Sequence, residues 1–165
     1  MRATLLSAIG LGLLATPIAQ TWLIEPLIRF LAIVAEWIVR TGAGSIIREG
    51  NVLINPETKA AVHVTQACDG MGVTVVLLAM LLATKPDLRT AVKFGGLIVG
   101  AVQLFNIIRI VTLFQLRSGP ASIYDLAHVY IIPYATVLLG ILMLASVIIK
   151  TFAPPHQPHT RSGNA

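Results

Sequence analysis

Four stretches of this chain, residues 3–20, 67–84, 91–113 and 127–149, are apolar almost without interruption. Crossing a bilayer takes about 20 mostly apolar residues. In hydrocarbon the backbone must satisfy its own N–H and C=O groups, so runs of this kind can span only as helices. Composition agrees: 165 residues that are 56% hydrophobic and 12% charged, with a mean hydropathy of +0.83, lack the polar surface a small soluble domain needs. The expectation is an all-α integral membrane protein with about four transmembrane helices, an even number that returns the tail to its starting side. Arg2 before the Leu-rich LLSAIGLGLLA also suits a signal peptide, but TPIAQT holds no small-x-small cleavage site, so an uncleaved helix is expected.

The segment between the first two runs has another character. Residues 22–41 carry Glu25, Arg29, Glu36 and Arg40 within apolar sequence. Leu27, Phe30, Leu31, Val34 and Ile38 recur at helical spacing while Arg29, Glu36 and Arg40 fall largely elsewhere, which predicts an amphipathic helix lying in the membrane interface. Residues 44–66 alternate and turn, with Gly50-Asn51 and Asn55-Pro56 as punctuation, and predict a short extracytoplasmic β-hairpin. Residues 1–152 then form a single polytopic domain, and the Pro-rich polar residues 153–165 form a disordered cytoplasmic tail.

The formal charge is +5, but Lys and Arg are scattered among apolar segments instead of forming one basic face, which argues against nucleic acid as a partner. With the amino terminus inside, Arg2, Lys85, Arg89, Lys93, Lys150 and Arg161 are cytoplasmic and the other six lie on or near the opposite side. The tie breaks at KPDLRTAVK, a short loop flanked tightly by spans, where the positive-inside bias acts most strongly. Both termini are therefore expected inside, with the lone Cys68 at the outer face.

Three polar groups interrupt the apolar pattern. Cys68 precedes a span and is followed by Gly70 and Gly72. The positive end of the following helix favours a thiolate there, the nucleophilic form, whereas Asp69 opposes it. Taken alone, Cys68 suits a small packing residue better than a nucleophile. Asn106 and Arg109 in FNIIRIVTLF share a helix face, and an arginine among isoleucines must face protein, water or an anion or else snorkel to the headgroups. In SIYDLAHVY, Ser122 and Asp125 match a capping-box-like start and Asp125 shares a helix face with His128, where it could orient the imidazole, although a lone His at a membrane interface is more often a polar anchor. His63, Cys68 and His128 show no close ligand spacing, so no metal is expected. Cys68, Arg109 and His128 nevertheless map to the outer ends of three successive spans. Thiolate, guanidinium and imidazole there form a working set for acyl transfer.

ACDG before a span, NIIRI at the end of the next and a His opening the last resemble the motifs of the exosortase/archaeosortase family over about residues 62–140. These are multipass membrane cysteine transpeptidases, and the small size and single short hairpin look most like the compact exosortase H type. The resemblance implies Cys68 as nucleophile, Arg109 as stabiliser of the substrate carbonyl or tetrahedral intermediate, and His128 as general acid/base; Asn106 and Asp125, which share helix faces with Arg109 and His128, and Asp69 beside the thiol are expected in support, and no cofactor is expected. It implies as substrates secreted proteins with a carboxy-terminal sorting signal: a recognition motif, a transmembrane helix and a basic cluster. It also implies a bacterial cytoplasmic (inner) membrane location with the site on the periplasmic side. Asp69 stands where the family often has Ser or another small polar residue. A non-catalytic four-span subunit or small transporter, with a polar cavity lined by Arg109 and His128, is the competing reading. A thiol relay of electrons is disfavoured because no second Cys exists to resolve a disulfide.

Overall fold

The computed structural model describes residues 2–42 and 44–152, so the expected tail at 153–165 lies outside the described residues. Helix α1 (Arg2–Leu14) is followed by α2 (Pro17–Ala19), a π turn (Gln20–Ile24) and α3 (Glu25–Thr41). Strands β1 (Ile47–Glu49), β2 (Val52–Ile54) and β3 (Ala61–His63) lead to a 3-10 turn (Gln66–Cys68). Helices α4 (Met71–Ala83), α5 (Leu88–Arg117) and α6 (Ala121–Leu126) follow, and a second π turn (Ala127–Ile131) joins α6 to α7 (Ile132–Phe152).

All four apolar runs are helical in their main part, but their lengths differ from expectation. Leu88–Arg117 and Ala121–Ser146 are long and apolar enough to cross a membrane. At 13 residues each, α1 and α4 reach about 20 Å, short of the ~30 Å hydrocarbon core. The first run breaks at Thr16 because the residue before a proline avoids the helical region; Thr16 is extended, and its hydroxyl caps the next helix at Ala19. The second starts late, at Met71, because the chain first makes the turn that holds Cys68.

Both π turns have the same cause. Pro26 and Pro133 each stand two residues beyond one, and a proline ring clashes with the carbonyl four residues back. Widening the turn relieves the clash: the N–H groups of Glu25 and Ile132 donate to Gln20 and Ala127, five residues earlier.

The stretch expected as an amphipathic helix is helical over 17–41, but its packed face is shifted from the one that apolar spacing selected and shares only Leu31 with it. Ile28, Leu31, Ala32, Ala35 and Val39 are buried, whereas Phe30 and Trp37 are exposed and Leu27, Val34 and Ile38 only partly covered. The expected hairpin is likewise larger, an antiparallel sheet of order β1-β2-β3. Its turns fall at Gly50-Asn51 and at Asn55, whose side chain accepts from the Glu57 and Thr58 N–H groups. Arg48, Leu53 and Val62 are direct cross-strand partners and so share a face. Leu53 and Val62 are buried, and Arg48 pairs with Glu36 of α3 at 2.6 Å, tying sheet to helix.

This sheet, α3 and the last turns of α5 enclose one core that includes Leu31, Leu53, Val64, Cys68, Ile110 and Phe114. A second core, of Leu77, Leu81, Ile98 and Val102, holds α4 on α5 farther from the sheet. Around these, α7 exposes Tyr134, Val137, Leu138, Ile141 and Leu142. A continuous apolar face of this kind suits lipid and not water.

Candidate active site

The turn carrying Cys68 is braced from both sides. Cys68 N–H donates to Thr65 O at 2.8 Å, Asp69 N–H to Gln66 O at 3.2 Å, and Asp69 Oδ1 accepts from Met71 N–H at 2.9 Å, closing the start of α4. From α5, Gln103 Nε2 donates to the Asp69 carbonyl at 3.1 Å. Gly70 has φ +65°, and a Cβ there would collide with the Asn106 side chain and lie 2.8 Å from Val102 Cγ1. Glycine is thus required twice at this position, for its left-handed backbone and for the approach of α5. Gly70→Ala is expected to displace the Cys68 turn at a cost of about 1–3 kcal/mol in backbone strain alone. A lowered thermal midpoint in detergent, with a changed rate of Cys68 alkylation, checks this.

Asp69 is 4% exposed, and its burial raises its carboxyl above the usual range, against the lowering effect of the Met71 N–H. A carboxyl that resists ionisation opposes a neighbouring thiolate less than a solvated one would.

Beside this turn lies a cavity of about 430 Å³, lined among others by His63, Cys68, Leu113, Arg117, Tyr124 and His128. Cys68 precedes α4 and His128 lies about two turns into the last long helical segment, so tertiary packing alone brings them to one space. His128 sits in the second π turn, where one wide turn resets the face its side chain takes. Its ring stacks on Tyr124, centroid to centroid 5.6 Å at an interplanar angle of 16°, and Arg117 Cζ stands 4.8 Å from the Tyr124 centroid. His128 Nδ1 is buried without a hydrogen-bond partner. His63, Cys68 and His128 share the cavity, but among the described residues no three His, Cys, Asp or Glu side chains converge as a metal site would require.

A family model described as transmembrane exosortase (EpsH) matches residues 1–146. The chain belongs to the exosortase family. No curated protein and no solved structure matches it. Exosortases are in general membrane cysteine transpeptidases, and membership agrees with the lipid-suited faces of the fold.

Within this exosortase the six residues singled out from sequence fall at different distances from the cavity. Cys68 and His128 line it, while Asp69 and Asn106 belong to the turn and its brace. Arg109 is half-buried and is not among the lining residues. It lies one helical turn from Leu113, which does line the cavity, and on the same side of α5 as Asn106, which packs on Gly70. Asp125 is the exception. It is exposed and makes no ion pair with His128 among the described residues, and the expected cap is absent because Pro120 occupies the helix N-cap without a side-chain bond. Sequence reading passed over Arg117 and Tyr124 and weighed His63 only as a metal ligand. Tyr124 had a signal, lying four residues before His128 and so on its helix face. Arg117 had one too, four residues beyond Leu113.

Proposed function

We propose that this exosortase is a membrane-embedded cysteine peptidase and transpeptidase that cleaves the carboxy-terminal sorting signal of secreted proteins through a thioester on Cys68. The observation that carries the reading is the shared cavity: a thiol and an imidazole from remote parts of the chain line one space of about 430 Å³ at the sheet end. His128 takes the thiol proton, and Cys68 Sγ attacks the scissile carbonyl. As the peptide C–N bond breaks, His128 returns the proton to the leaving amine. An acceptor nucleophile or water then attacks the thioester and frees the thiol. The place of His128 in the cavity wall beside Cys68 supports its part as proton carrier. Arg109 is the group proposed to hold the developing oxyanion.

Substrate chemistry fits the surroundings. An apolar groove of about 430 Å³ between α1, α4 and α7, lined by residues including Leu11, Leu77, Val137 and Gly140, runs up to Gly72, four residues past Cys68 in the first turn of α4. There it meets a smaller pocket with Gln20, Gln66 and Asp69 in its wall. A signal made of a polar motif followed by an apolar helix suits a polar pocket followed by an apolar groove. The sheet end is then extracytoplasmic, and Lys85, Arg89 and Lys93 at the opposite end face the cytoplasm of a bacterial inner membrane.

Incubation with a sorting-signal substrate and rapid acid quench is expected to leave Cys68 carrying the substrate's amino-terminal fragment, measured by mass spectrometry of the intact protein. Substrate consumed with no adduct on Cys68, even when acceptor is withheld, would rule the thioester route out.

A further inference from the structure

A general base must be held in one orientation, and a carboxylate on Nδ1 is the familiar device. This site lacks it: Nδ1 of His128 has no hydrogen-bond partner, and Asp125 is exposed and unpaired with it. The imidazole instead lies nearly parallel to the Tyr124 ring, at 16° and 5.6 Å, and Arg117 stands over the same ring at 4.8 Å. The three side chains come from both sides of the break at residues 118–120, so the stack also ties the end of α5 to the start of α6. The Tyr124 hydroxyl makes no hydrogen bond among the described residues, which leaves the ring face as its contribution.

We propose that Tyr124, anchored beneath Arg117, is the positioning residue for His128 and takes the place of the orienting carboxylate. The proposal rests on the reading of His128 as general acid/base. Stacking of this kind restrains the plane of the imidazole without hydrogen-bonding to either nitrogen, and an aromatic pair contributes about 0.5–1.5 kcal/mol beyond its area. A base that swings out of line loses far more in rate than the stack contributes in stability, since small misplacements cost about 100-fold.

The test compares Tyr124→Phe and Tyr124→Leu in the full chain reconstituted in phospholipid vesicles, with cleavage of a membrane-anchored sorting-signal substrate as readout. Tyr124→Phe keeps the ring face and is expected to stay within about twofold of the parent kcat, whereas Tyr124→Leu falls about 10–100-fold in kcat with KM unchanged. Cys68 alkylation at the parent rate in both variants shows that the cavity is intact. A parent kcat in Tyr124→Leu overturns the proposal. So does equal damage in Tyr124→Phe, which would assign the effect to the hydroxyl, and so does a rise in KM alone, which would make Tyr124 a substrate contact. Cleavage by a Cys68→Ala protein would instead remove the catalytic reading on which the proposal stands.

Discussion

A Cys68→Ser protein is expected to insert normally and to leave sorting-signal substrates uncleaved. The replacement is nearly isosteric, and Cys68 lies in a core that includes Leu53, Val64 and Ile110, so the surrounding packing survives. Burying a hydroxyl in that core costs about 1–3 kcal/mol at most, which a folded membrane domain can absorb. Chemistry does not survive. The thiolate is the attacking species, and a serine hydroxyl beside a base suited to a thiol stays protonated. Loss of a nucleophile from a working set costs on the order of 10⁶-fold in kcat, below detection in a cleavage assay. Quantitative immunoblotting of substrate processing, with membrane fractionation of the variant as control, measures both halves. Cys68→Ala, which removes the heteroatom, is expected to match it. Normal processing by the alanine variant would make Cys68 a packing residue and the chain a non-catalytic subunit.

Arg109→Lys is expected to insert as the parent does, to keep Cys68 accessible to thiol reagents, and to process substrate at least about 100-fold more slowly. Lysine snorkels as well as arginine and counts equally in topology, so an arginine that only sets orientation would tolerate the change. The two differ in shape and hydration: the guanidinium presents a planar fork of donors, the ammonium a strongly hydrated point charge. Removing one oxyanion donor typically costs about 10²–10³-fold, roughly 3–4 kcal/mol. Position sharpens the prediction. Arg109 stands one turn from both Asn106, packed on the Cys68 turn, and Leu113 in the cavity wall, whereas Arg117 at the rim is engaged with Tyr124. Single-turnover cleavage by purified protein decides it. A near-parent rate would take Arg109 out of the chemistry and turn attention to Arg117.

Much of the fold is legible without coordinates. The four apolar runs are helical in their main part, and for the two long enough to cross a bilayer the physical demand is that the backbone supply its own hydrogen bonds. Gly50-Asn51 and Asn55 make the turns of the sheet, since their backbone preferences are local. Even the two π turns are written in Pro26 and Pro133, two residues beyond each of them. Cys68 and His128 stood out because a polar side chain at the mouth of an apolar run is itself a local signal.

What the sequence left open is which faces meet. On α3 the spacing of apolar residues selected Leu31, which is buried, together with Leu27, Phe30, Val34 and Ile38, which are not, while Ile28, Ala32, Ala35 and Val39 complete the buried stripe. The α3 sequence is apolar on more than one face, so apolar spacing does not single out the packed one, and Ala32 and Ala35, small enough for close approach, lie in the contact beside Ile28 and Leu31. Strand β3 is three residues long and exists through its pairing with β2, which no local pattern announces. The same holds at the site. Spacing along one helix offered Asp125 to His128, but the stack with Tyr124 and Arg117 depends on how α5 and α6 meet, and only the tertiary structure decides it. Hydrogen-bond demand, which acts along the chain, determined where this protein is helical; side-chain packing, which acts between remote segments, decided what its cysteine and histidine face.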